Sequence, residues 1–515
     1  MIEYNYGSRN RIYYHEIVEG KYGRKVAYTD VDKITAENIV GVVGSCIGVF
    51  NLNKTAVNYL WNYVHGDQPI LYREKIVRDD IVNKIVENHA YEIVQFKTGQ
   101  TYGEPVQCVS RTDDKKISDA VDKFNDYLKD ANKHSRDISS GEWQSAVGTS
   151  FKAVQYADKN DYLPFRIVVP TPMDTFIIYS KVSGEPMIAV QELKDAKGER
   201  YLLCYTKTHE CRIVNSKVSG WKVHAFGGIP IVEYPNNAER ISDVELVITM
   251  LDAINNMQSN RMDSIEQFVQ SWIKFVNCEV DTKTFQEMKM QGALTVKSNN
   301  SDNKADVDII TQELNQTESQ IAKDDLWNNV LSISAIPNKE GGTKGGDSQG
   351  AVELRAGWDF SKTRAKLKDP YVVESEKRLN RVILNVIRVR NGKNECPITE
   401  RDYDITINHS PMDNLIVKCQ ALQFLLQCGV HPMIAFQKCG LFGDVEKSFL
   451  LSKPYLDNLY KVSEAVDVDG QTKKVELFMK CLNTGMNIED SAKTAGLEIS
   501  DKKANFGKWD YGDDA

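Results

Sequence analysis

Apolar residues recur at Val244, Val247, Leu251, Ile254, Ile265, Phe268 and Trp272, a three-and-four spacing that sets them on one stripe of a helix. Neither Gly nor Pro interrupts Ile241 to Trp272, so the pattern predicts a helix about 45–50 Å long at 1.5 Å per residue. Gln258 and Arg261 break the stripe where apolar residues are expected. A helix that long needs neighbours along its length, from the same chain or from copies of it. The segment after it alternates as strand, helix and strand over Lys274 to Val296, with a further strand at Val307 to Ile310. A returning helix runs from Leu314 to Ile333, ending near Pro337.

Before this rod the pattern predicts an irregular, Tyr-rich arm over residues 1–30. Helices come next at Thr35 to Phe50 and Lys54 to Val64, joined by Asn51-Leu52-Asn53. Arg78 to Lys97 mixes helical spacing with the β-prone run from Tyr91 to Phe96, and Thr98 to Val106 reads as a glycine-punctuated turn. Asp113 to Ala131 carries Ile117, Val121, Phe124 and Leu128 on one helical face, and Ser139 to Ala157 predicts another helix. From Tyr162 to Pro235 the period changes to two, predicting a run of strands. Asn338 to Gly350 is too rich in glycine to hold a regular element. Ala351 to Arg390 is helical with a break at Asp369-Pro370, Tyr403 to Asn408 is a strand, and the chain from Asn414 to about Lys503 is helical. The fold class is therefore α+β and mostly helical, and the final Trp509 to Ala515 is an acidic tail.

At 515 residues several domains are expected. No run of about 18 apolar residues predicts a membrane span, and the start lacks a basic, then apolar, leader, so a cytosolic protein is expected. Ten dispersed cysteines without a Cys-x-x-Cys read as small buried apolar groups, Cys204 and Cys211 being the closest pair. The net charge of −8 argues against tight nucleic-acid binding, which requires Lys and Arg to neutralise phosphates. It suits a wall that DNA passes without being held.

No catalytic constellation is visible. Gly345-Gly346 is followed by Asp347 rather than by Lys-Ser/Thr, and a helix precedes the loop, so a nucleotide-binding P-loop is not expected. The histidines have no metal-ligand spacing, no nucleophile elbow is present, and His224 and His409 read as packing or capping residues. The acidic pairs Asp113-Asp114 and Asp324-Asp325 suit helix starts or solvated faces. Gly485 to Leu497 resembles the turn of a helix-turn-helix, but Glu498 to Lys503 beyond it is too short and mixed in sign for a recognition helix. Arg378, Arg381, Arg388 and Arg390 read as a solvated helical face, with contact to acidic neighbours as the alternative.

Four stretches, in order, resemble the portal proteins of tailed bacteriophages, the head-to-tail connectors of long-tailed phages in particular. They are Asn88-His-Ala-Tyr-Glu-Ile-Val to Gly103-Glu-Pro-Val; His224 to Asn237 with Ser242-Asp-Val-Glu and Leu251-Asp-Ala-Ile-Asn; Asp347-Ser-Gln-Gly-Ala-Val-Glu-Leu; and Tyr403-Asp-Ile-Thr-Ile. The resemblance implies an arm (1–30), a wing in two parts (31–235 and 351–412), stem helices (236–272 and 313–336) and a clip between them (273–312). It also implies a tunnel loop (337–350) and a crown with an acidic tail (413–515). The tunnel loop would bring Lys339, Glu340, Gly341, Gly342, Thr343, Lys344, Gly345, Gly346 and Asp347 to the narrowest point of a DNA channel. The implied assembly is a ring, twelve-fold in the virion, at one capsid vertex, through which double-stranded DNA is packaged and ejected without sequence specificity. Its implied partners are the terminase large subunit, head-completion or adaptor proteins, and the major capsid and scaffold proteins. No cofactor, metal, enzymatic activity or membrane contact is implied. The residues leave two alternatives open, a non-portal structural adaptor of a phage-like particle and a nucleic-acid packaging enzyme.

Overall fold

The computed structural model describes residues 2–4, 22–75, 80–112, 114–158, 161–269, 272–276, 283, 286, 306–310, 316–338, 357–392, 394–409, 415–439, 441, 445–460, 477 and 494. They belong to two compact units, 1–411 and 412–515. Most of the tunnel loop, of the clip and of the helix-turn-helix-like stretch, and all of the acidic tail, lie outside the described residues.

The first unit opens with β1 (Ile2–Tyr4) and β2 (Ala27–Thr29), so the arm is less irregular than its composition suggests. The next helix, α1 (Ile39–Val64), is continuous where a break at Asn51 to Asn53 is expected. Asn53 does not end it because its side chain turns outward and makes a reciprocal pair with the Lys25 backbone, accepting at 2.9 Å and donating at 2.7 Å. Its first half packs Ile39, Val43, Cys46 and Phe50 on the large sheet, and its second half packs Leu60, Tyr63 and Val64 under the long helix. By length and composition alone α1 could cross a membrane.

A 3₁₀ turn (Pro69–Tyr72) leads to β3 (Arg73–Lys75), which pairs with β1, and then to an extended strap over residues 81–88. The β-prone run after it is helical instead: α2 spans His89–Tyr102, passing through Gly99. Asn88 caps it by accepting from the Tyr91 N–H at 3.4 Å, and Ile93 and Val94 are buried. Core packing overrides β propensity here. Next come β4 (Gln107–Ser110), α3 (Lys115–Asp130), capped by Asp114, and α4 (Lys133–Val147). The helix expected at 139–157 thus starts earlier and ends at Gly148, whose φ of 86° only glycine adopts readily. A Cβ there would stand 1.9 Å from the Arg240 carbonyl oxygen.

Then come β5 (Thr149–Tyr156), β6 (Phe165–Val168), β7 (Thr175–Ser180), β8 (Pro186–Lys194), β9 (Arg200–Tyr205), β10 (His209–Val214), β11 (Lys217–Val223) and β12 (Ile231–Pro235). The six-stranded sheet runs β11-β10-β9-β8-β7-β2, and a three-stranded sheet runs β12-β5-β6. Ile177, Tyr179 and Ala189 of the first pack with Phe151, Ala153 and Ile231 of the second.

The long helix, α5, spans Ile248–Val269, preceded by a turn over residues 243–247. It is shorter than its stripe at both ends, and Trp272 opens a strand rather than closing the helix. That strand, β13 (Trp272–Val276), pairs antiparallel with β14 (Asp306–Ile310). The returning helix α6 is Gln316–Ile333. Beyond residue 356, α7 (Trp358–Lys366) and α8 (Asp369–Asn391) break where Asp369-Pro370 predicts it, with Pro370 in the first turn of α8. β15 (Tyr403–Thr406) pairs with β4. In the second unit α9 (Leu415–Gln427), α10 (Pro432–Cys439) and α11 (Val445–Tyr460) pack in succession, with Phe436 edge-on to Phe449 at 6.0 Å.

Candidate functional site: the anchored stem

At the turn that leads into α5, Ser242-Asp-Val-Glu makes the reciprocal bonds of a capping box. The Glu245 carboxylate accepts from the Ser242 N–H at 2.7 Å, and the Ser242 hydroxyl accepts from the Val244 N–H at 3.0 Å. The other oxygen of Glu245 holds the buried Arg24 guanidinium. The Ser242 hydroxyl also donates toward the Ser145 and Ala146 carbonyls at the end of α4, at 3.0 and 2.8 Å. The head of the rod is thereby fixed from two sides, to the end of α4 and to Arg24.

Val244, Val247, Leu251 and Ile254 are buried as the stripe requires, against Tyr59, Leu60, Ile93 and Val330. Beside that stripe runs a second, polar one. Asn255, Ser259 and Asp263 are buried, and each accepts a backbone N–H from the strap: Glu87 to Asn255 at 2.8 Å, Ile85 to Ser259 at 3.0 Å, Asn83 to Asp263 at 2.7 Å. The strap runs antiparallel to α5. Four residues advance a helix by about 6 Å and two advance an extended chain by about 6.6 Å, so acceptors one turn apart meet alternate amides. The ladder satisfies donors that an extended strap outside any sheet would otherwise bury unpaired.

Asp263 is the last rung. It also accepts from the Asn83 side chain at 2.9 Å and pairs with Arg73, at 3.0 Å, and with Lys75. Burial alone would raise its pKa, but Lys75 and the Asn83 donors outweigh burial and hold it below the ordinary carboxylate range.

The interruption at Arg261 has a role: it reaches across to Gln320 of α6 at 2.7 Å. Lys323 of α6 pairs with Glu87 of the strap at 2.6 Å, and Trp327 stacks on His89 at 3.9 Å. The strap therefore holds both rods. At the level of this clamp apolar positions open to solvent on another flank: Met262 and Ile265 on α5 are 37% exposed and Ile321 on α6 is 62% exposed. Of the expected stem residues, Ile265 is thus on the open flank, the Phe268 side chain is outside the described residues, and Trp272 belongs to β13. The loop residues Lys339 to Asp347 are outside the described residues as well.

Elsewhere in the first unit, Lys133 and Asp137 of α4, Lys152 of β5 and Glu376 of α8 form a closed, buried ring of alternating charge. Lys133 lies 2.6 Å from Asp137 and 3.0 Å from Glu376; Lys152 lies 2.9 Å from Glu376 and contacts Asp137. The Tyr234 hydroxyl donates to Glu376 at 3.0 Å, and its ring centre lies 4.1 Å from the Lys152 ammonium. Burial works to raise the Glu376 pKa, yet the two ammonium groups bring it down to about 2. The arginines of α8 make contacts rather than facing solvent freely. Arg378 pairs with Glu374 at 2.7 Å, Arg381 binds Glu400, Arg388 binds the Ile398 carbonyl, and Arg390 reaches the Asp158 and Asp161 carbonyls, each at 2.9 Å. His409 bridges the Gln100 carbonyl and Asp369, both at 2.8 Å, which bears out a packing role. No group of three or more His, Cys, Asp or Glu suited to a metal occurs among the described residues.

Sequence comparison agrees with this architecture. The family described as phage portal protein, SPP1 Gp6-like, matches residues 44–429. No curated protein matches the chain. Among solved structures, the neck of an empty GTA particle computed with C6 symmetry is 10% identical, at a TM-score of 0.42, over 70% of this chain and 89% of that one. The neck of a native GTA particle computed with C12 symmetry is 11% identical, at a TM-score of 0.39, over the same shares. With its strand, turn, capped rod and returning rod inside the matched span, the chain belongs to the SPP1 Gp6-like phage portal protein family, a structural family of connectors rather than enzymes.

Proposed function

We propose that the chain is the subunit of a ring, twelve-fold in the particle, that stands at one capsid vertex and conducts double-stranded DNA during packaging and ejection. The observation that carries this reading is the division of α5. One flank is held by the capping box and the strap, while Met262 and Ile265 on α5 and Ile321 on α6 leave apolar surface on another flank for copies of the same rods. The β13–β14 ribbon comes directly after α5 in sequence, where a clip facing the terminase and later the head-completion proteins is expected. The energy for translocation comes from a separate ATPase.

Negative-stain images of the purified protein should show rings with a central hole. Compact monomers would overturn the reading, and filaments or small oligomers would favour an adaptor. Residues 337–350 supply the tunnel loop in this scheme. Replacing Gly341 to Gly346 with a rigid segment should impair DNA passage while rings still form, because glycine gives the backbone its freedom there. Failed assembly with normal passage through the surviving rings would remove the loop from the channel.

A further inference from the structure

We propose that Cys204 and Cys211 form a peroxide-responsive thiol pair that closes into a cross-strand disulfide in the wing. The two residues stand directly opposite each other on antiparallel β9 and β10. Opposed residues in such a ladder have Cα atoms about 4.5–5.5 Å apart, inside the span of about 4.4–6.8 Å that a disulfide bridges. Both side chains lie in the same buried cluster, and both thiols are free.

Cys46 shares the cluster, but its sulfur is turned to the Tyr28 carbonyl at 3.6 Å, so it does not compete for the pair. Burial raises the Cys46, Cys108 and Cys396 thiols, whereas the facing Cys204 thiol lowers Cys211. The β10–β11 register slips between Glu210 and Arg212, so Cys211 has no opposite number on β11. The ladder is thus interrupted beside Cys211, where local opening of β11 would bring peroxide to the sulfur.

The chemistry balances with hydrogen peroxide as the oxidant. The Cys211 thiolate attacks one peroxide oxygen; an S–O bond forms, the O–O bond breaks, and the departing hydroxide takes the thiol's proton and leaves as water. The Cys204 sulfur then attacks the Cys211 sulfur. An S–S bond forms, the S–O bond breaks, and the hydroxide leaves as water with the Cys204 proton. Two thiols lose two electrons, and one peroxide becomes two waters.

The full chain is exposed to dilute hydrogen peroxide, quenched, alkylated in denaturant and mapped by peptide mass spectrometry. A dithiothreitol-reversible link between Cys204 and Cys211 should form at least about tenfold faster than oxidation of the exposed Cys419, although exposure alone favours the latter. In Cys204→Ser, Cys211 should stop at the sulfenic acid and be captured by dimedone. Should the wild-type pair stay reduced, link to other cysteines, or oxidise no faster than Cys419, the proposal is wrong whatever the variant does.

Discussion

Glu376→Gln is expected to destabilise the first unit by about 3–5 kcal/mol, the cost of leaving a buried charge without its partner. Glu376 is the only carboxylate besides Asp137 in the charge ring, and each of the two ammonium groups needs both. With Glu376 neutral, two buried cations face one anion, and neither Lys133 nor Lys152 has water within reach because both side chains are at most 4% exposed. The measurement is the urea midpoint of the wild type against Glu376→Gln, Lys152→Met and the double variant. Each single change leaves an unbalanced charge and the double change does not, so the pair should be less than additive by more than about 1 kcal/mol. Additive losses would mean that the four groups do not act as one unit.

The same ring sets an acid limit. The folded pKa of Glu376, about 2, is depressed below the ordinary glutamate value. Its contribution, about 3 kcal/mol, is therefore complete above the unfolded value and is lost as pH falls through the folded one. Acid unfolding followed by circular dichroism should show this component in the wild type and not in Glu376→Gln.

How much of this is legible in the sequence depends on the range of the forces involved. The rod, the ribbon and the returning rod arise from local periodicity, and Ser242-Asp-Val-Glu reads as a helix start on its own. The charge ring does not, because Lys152 and Glu376 are 224 positions apart and a charged residue in any pattern reads as surface. Tyr91 to Phe96 is β-prone alone and helical in the fold, since Asn88 caps it and Ile93 and Val94 fill a core no local rule describes. Strand β11 leaves little trace in the pattern because Gly220 sits inside it and its residues are mostly exposed on both faces. The polar stripe on α5 is visible in principle: Asp252, Asn255, Ser259 and Asp263 repeat at three and four. An apolar stripe announces burial, whereas a polar one at the same spacing reads as solvated until the strap is found lying on it. Gln258 and Arg261 both interrupt the apolar stripe, and Arg261 is the one that bridges the rods.

Asp263→Ala should release the strap. The substitution removes the acceptor for the Asn83 amide and side chain and the counter-charge of Arg73, whose side chain is fully buried. Breaking a buried pair from one side costs about 3–5 kcal/mol. If that cost is realised as local opening, hydrogen exchange over residues 81–88 should accelerate by roughly 150- to 5,000-fold, with α1 and the sheets unchanged. Ser259→Ala deletes a single middle rung and should cost about 1 kcal/mol. Asp263→Asn keeps an acceptor for the strap but not the charge, so its effect should fall between the two. The carboxylate's lowered pKa gives the sign of the pH response. Protection of the strap is complete above the ordinary carboxylate range and declines as pH drops through the lower folded value. In assembled rings the Asp263→Ala rods should blur in projection while the rest of the first unit stays sharp, because the last rung holds the distal part of α5 to the strap. Unaltered exchange over the strap in Asp263→Ala would show that apolar packing alone holds α5, and that the polar ladder contributes nothing to the stem.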